Sequence, residues 1–81
     1  MTVSADDVRR LHSAEGDAVL VLIEGRADVV TADQLASNEY RGALEVITRR
    51  DLTARLGDDP SDHELTEQAA ILDAEVSELG G

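Results

Sequence analysis

The apolar positions of the chain fall into two patterns: helical stripes at spacings of three and four, and unbroken runs of strand length. The longest run is Ala18 to Ile23, six apolar residues rich in Val and Leu. No polar position interrupts it, so it reads as a strand covered on both faces rather than one that alternates between core and water. A second strand is expected at 43–48, "ALEVIT". Helical spacing returns on either side. Ala5, Val8 and Leu11 share one face over 5–13, with Gly16 as a stop. Leu52 and Leu56 lie one turn apart in "RRDLTARLG", with Gly57 as its stop, and "TADQLASNEY" suits a short helix of about two turns. The last helix is expected over 62–79, after the loop "DDPSD".

Each helix is introduced by a hydroxyl followed three residues later by an acid or amide: Ser4…Asp7, Thr31…Gln34, Thr48…Asp51 and Ser61…Glu64. The hydroxyl accepts from an orphan N–H of the first turn, and the later side chain reaches back to the cap. Gln34 and Glu64 are the residues this box prefers. Asp is shorter, yet suits the positive end of the helix.

The stretch "VLVLIEGRADVV", residues 19–30, contains Ile23-Glu24-Gly25-Arg26, a tetrapeptide that protein engineers use as a protease cleavage site. Here it continues an aliphatic strand and leads into a capped helix, so it reads as native sequence. Two arrangements suit it. In one, Glu24-Gly25 or Gly25-Arg26 is a two-residue hairpin turn and 27–30 is a short antiparallel strand. In the other, the first strand ends at Glu24 and 25–42 is the crossover of a βαβ unit, which needs about a dozen residues. A three-element sheet of 18–24, 27–30 and 43–48 accommodates the pattern. The fold expected is a small α/β or α+β domain: a two- or three-stranded sheet packed with short helices and a C-terminal amphipathic helix. A compact core over 1–57 is followed by an acidic loop and helix over 58–81, docked on it.

Composition narrows the function. Ten Leu, eight Val and three Ile give 21 aliphatics in 81 residues, enough to escape disorder. Tyr40 is the one aromatic, so the core is small and aliphatic, and at "NEYRG" the ring is expected to pack half-buried at the corner 38–42. Without cysteine there are no disulfides, thiolate zinc sites or cysteine nucleophiles. The opening "MTVSADD" does not resemble a secretory signal. No run approaches the length that spans a bilayer. A soluble, cytoplasmic protein is the expectation.

The net charge is −11, and all seven cations are Arg. Residues 56–81 hold eight acids and no cation, whereas the first 55 hold ten acids and seven Arg, a net of −3. Direct binding to nucleic-acid phosphates needs the opposite field. Arg9, Arg10, Arg49, Arg50 and Arg55 are expected to neutralise neighbouring acids.

Catalytic and metal chemistry find little support. "DDPSDHE", residues 58–64, gathers carboxylates and His63, but not at calcium-loop spacing, and His12 and His63 form no zinc-binding pair. None of the five Ser sits in a nucleophile elbow, and nothing selects a pair among the 18 acids. A Walker loop is impossible without Lys. No cofactor is expected.

Interaction surfaces remain. Leu65, Ala69, Leu72, Val76 and Leu79 follow a 4-3-4-3 spacing, an a/d seam over two heptads. The stripe either packs on the protein's own sheet or receives another chain. Asp73 and Glu75 flank it, so a parallel self-pair would bring acids together, and a basic helix from another protein is the better match. The reading is a non-enzymatic interaction or regulatory protein. Its expected partner surface is Leu65, Leu72, Asp73, Glu75, Val76, Glu78 and Leu79, facing a protein with a basic surface. Nucleic acid and membrane are not expected partners, and monomer and homodimer remain open. The alternative is an acidic nucleic-acid mimic or antitoxin-like inhibitor of a basic DNA-binding protein. A small metal protein or enzyme comes third.

Overall fold

The computed structural model describes residues 2–78. In chain order it contains α1 (Ala5–Ser13), β1 (Ala18–Ile23), β2 (Arg26–Thr31), α2 (Ala32–Leu35), a 3₁₀ turn (Asn38–Tyr40), β3 (Leu44–Thr48), α3 (Arg49–Leu56) and α4 (Asp62–Glu78). The sheet order is β2-β1-β3, and β1 pairs antiparallel with both neighbours.

The turn decides the topology. Ile23 pairs with Arg26, so Glu24-Gly25 is the two-residue loop. Both residues have positive φ, 52° and 78°, as a type I′ hairpin turn requires. Gly25 adopts this freely, whereas Glu24 does so against its own Cβ. The chain therefore reverses at once, and the βαβ reading of 25–42 is overturned. β3 lies antiparallel to β1. The segment 32–43 instead carries the chain from one edge of the sheet to the other across β1.

All four hydroxyl caps form. Ser4 with Asp7, Thr31 with Gln34 and Ser61 with Glu64 make both bonds of the box. At Thr48 the hydroxyl accepts from Asp51 N (3.1 Å) and no reciprocal bond accompanies it. Gly57, with φ 80°, ends α3 and donates its N–H to Thr53 O at 2.7 Å. The two-turn helix expected over 31–40 is broken into α2 and the 3₁₀ turn. Ser37 Oγ donates to Gln34 O at 2.6 Å, which closes the helix after one turn.

β1 is buried on both sides, as its unbroken apolar run implies. Leu20 and Leu22 join Val8, Leu11, Ile47, Leu52 and the inner face of α4 in the main core. Val19 and Val21 point the other way with Val30, beneath Leu35, Tyr40 and Ala43. Each fully buried aliphatic of this kind contributes about 1.5–3 kcal/mol. A bulge opposite Leu20/Val21 leaves Val46 without a partner, so Val46 and its neighbour Ile47 both turn toward the main core. On the other face, Tyr40 donates its hydroxyl to Asp28 Oδ2 at 2.9 Å, tying the crossover to β2. That bond exists only while the phenol is protonated, and it raises the Tyr40 pKa above its ordinary value.

Candidate protein-binding face

α4 is amphipathic, but its apolar seam is not available to a partner. Leu65, Leu72 and Val76 are 5%, 0% and 3% exposed and sit in the main core with Ala69. They are therefore corrected from the expected partner surface. The seam lies directly against α1 rather than on the sheet alone. Leu79 lies outside the described residues.

Asp73 is also diverted. Its Oδ1 accepts from the backbone N–H groups of Thr2 (2.8 Å) and Val3 (3.0 Å), clasping the segment before α1 to α4. Val3 is fully buried as a result. The Val3 bond first, then the Thr2 bond, pulls the Asp73 pKa below its ordinary value, against the opposing effect of desolvation. The clasp therefore stabilises the fold fully above the ordinary value of 3.8 and loses that contribution as pH falls through the lower folded value. Asp73→Asn is expected to be less stable than the parent at neutral pH and to converge on it in strong acid. Urea midpoints along a pH series check this, and a pH-independent gap would assign the loss to geometry instead of charge.

What α4 leaves outside is a different stripe. Glu64, Glu67, Ile71, Glu75 and Glu78 follow a 3-4-4-3 spacing, and all are exposed. At about 100° per residue they fall within about 40° of the direction of Ile71. Ile71 is 46% exposed and, with Leu44, is one of two large apolar side chains in the open among the described residues. Glu75 Oε1 stands 4.0 Å from Arg55 Nη1 on α3, an exposed pair that contributes little to stability.

Beside this stripe, between the end of α3 and the first half of α4, runs a groove of about 230 Å³ lined by Leu56, Glu64, Glu67, Gln68 and Ile71. Gln68 is 6% exposed, and its Nε2 is buried with no acceptor. A buried amide N–H is costly when neither a protein acceptor nor water reaches it, and no protein group here accepts from Gln68 Nε2.

Several acids and Arg residues, two glutamates of the stripe among them, also make contacts within the fold. Asp7, at 8% exposed, closes the α1 capping box and pairs with Arg10 (3.1 Å). Asp62 pairs with Arg9 (3.1 Å), His63 Nε2 lies 3.2 Å from Glu67, and Glu64 caps Ser61. Asp62 and Glu64 thus turn to separate partners, and no group of three metal-ligating side chains converges among the described residues. A second depression, of about 270 Å³, is lined by Gly16, Asp17, Arg49, Arg50 and Thr53. Thr53 Oγ1 is buried there without a partner, but the charges are of both signs and Arg49 already donates to Gly16 O at 3.1 Å.

The acidic face was legible in the charge asymmetry. Its centre at Ile71 was not, because Ile71 lies outside the regular 4-3-4-3 apolar seam and a lone apolar residue among polar ones carries no periodic signal. Among the described residues no helix is long and apolar enough to cross a membrane. No protein-family model matches the chain, and comparison with curated proteins and with solved structures returned no match.

Proposed function

We propose that this chain is a non-enzymatic interaction module that receives a partner with a basic surface on the outer face of α4. One observation carries the reading: Ile71 stands exposed at the centre of four glutamates, on a helix whose other face is locked into the core. An apolar centre rimmed by charge of one sign is the ordinary anatomy of a recognition face. The rim supplies steering and selects against acidic partners, while the centre supplies the area that leaves water. The exposed centre favours this reading over a nucleic-acid mimic, which needs carboxylates and no apolar contact.

The test is an NMR titration of the ¹⁵N-labelled chain with a short, unstructured Arg/Ser/Gly peptide at low and moderate salt. Amide shifts are expected to concentrate on 64–78 and to disappear when Glu64, Glu67, Glu75 and Glu78 are all replaced by Gln. Shifts spread evenly over every acidic surface, or unaltered by the fourfold replacement, would remove the outer face of α4 as the binding site.

A further inference from the structure

We propose that the groove between α3 and α4 is the seat of an amphipathic helix from a basic protein. This helix would carry an apolar residue at its middle and cationic side chains about three turns apart at its two ends. The proposal rests on the reading of α4 as an acidic binding face and specifies what that face holds.

The argument begins with the arrangement of charge. Glu64 and Glu67 lie toward one end of the stripe, Glu75 and Glu78 toward the other, and Ile71 lies between. At 1.5 Å per residue the midpoints of the two acidic pairs are about 16 Å apart along the axis, and the whole stripe is about 21 Å long. A second helix laid alongside spans that length with about fourteen residues. It meets both acidic pairs with cations roughly eleven residues apart and turns one apolar face toward Ile71 and Leu56. An extended peptide of the same length would overrun the stripe.

The groove also contains something that a charged face alone does not explain. Gln68 lines it, is more than nine-tenths buried, and has an N–H without an acceptor. The N–H is enclosed in the free protein, so the Gln68 side chain must turn to present it to an occupant, and a side-chain oxygen next to the occupant's apolar residue would then satisfy it. An amide or hydroxyl at that position is therefore part of the recognition element. Carboxylates attract any cationic segment. The unpaired amide and Ile71 select one that brings an acceptor and an apolar anchor together.

The occupant is not the α4 of a second copy of this chain. The described surface of α4 carries no Lys or Arg, and a like helix would set glutamate against glutamate. Its apolar seam is already buried.

The experiment uses the full chain and a sixteen-residue peptide of Ala, Leu, Lys and Gln. The peptide has Lys near both ends, Leu on one face at the middle and Gln beside the central Leu. A second peptide has the same composition in an order that destroys the amphipathic face. The ordered peptide is expected to bind at least about tenfold tighter than the scrambled one, to shift the amides of Leu56, Glu67 and Ile71, and to shift the Gln68 side-chain amide. Ile71→Ser is expected to weaken binding about tenfold, as loss of a central anchor does, and Gln68→Met by at least about threefold. Circular dichroism confirms that both variants fold.

Equal binding of the two peptides to the 64–78 face overturns the helix proposal and leaves the acidic-face reading standing. Binding weakened by Ile71→Ser but indifferent to Gln68→Met removes the groove and overturns the proposal as well. If neither peptide binds, both the proposal and the reading on which it rests are lost.

Discussion

Replacing Leu72 by alanine is expected to lower the free energy of unfolding by about 2–5 kcal/mol, the range for deleting a fully enclosed leucine in a core that relaxes only partly. Leu72 is 0% exposed and belongs to the cluster that also holds Leu11, Leu20 and Leu52. A chain of this size has about 4–12 kcal/mol of stability in all, so this one change leaves a large unfolded population. The control lies one residue away. Ile71→Ala, on the outer face of the same helix, is expected to change stability by no more than about 0.5 kcal/mol. Urea unfolding of the two variants, with equal slopes, measures the difference directly. If Leu72→Ala proved as mild as Ile71→Ala, α4 would not be part of the core, and the assignment of its faces would have to be exchanged.

Gln68→Met is expected to act in the opposite direction, raising stability by about 1–3 kcal/mol, the cost of a buried polar group left without its hydrogen bond. Methionine fills nearly the same volume, adapts to irregular surroundings and suits a helix. The gain is read as a rise in the urea midpoint at constant slope. An unchanged midpoint would mean that water already satisfies the Gln68 N–H in the free protein. A gain in stability together with a loss of peptide binding would mark Gln68 as a residue kept for recognition at the expense of the fold, as binding sites commonly require.

β1 was readable because a short apolar run with Val at alternate positions, bounded by Gly16 and Gly25, suits a strand with both faces covered, and both faces are covered. The caps were readable because each is a local contact between residues three apart. The helical seam of α4 was readable as a stripe but not as to what it faces. A 4-3-4-3 spacing suits a core face and a partner face equally, and only packing against α1 separates them. Asp73 shows the limit most plainly. Its partners, Thr2 and Val3, are 71 and 70 residues away in sequence, and a carboxylate in an acidic helix carries no mark of a contact so distant. The direction of β3 escaped for a related reason, since it follows from how 32–43 crosses the sheet and not from anything within β3 itself. The break between α2 and the 3₁₀ turn had a local signal after all, in the paired Ser37 and Asn38, both poor helix formers that compete for backbone hydrogen bonds.

Ile23-Glu24-Gly25-Arg26 is recognised by its protease as an accessible, flexible segment, yet here its two ends are paired across the ladder and its middle is bent into a tight loop. The protease can engage it only when β2 has come away from β1. Where closing outruns cutting, the rate of cleavage follows the fraction of molecules that are open at that instant. The chain thus carries its own gauge of local fraying: digestion under native conditions counts how often the edge strand lifts, and with it how firmly Tyr40 and Leu35 hold down the thinner side of the sheet.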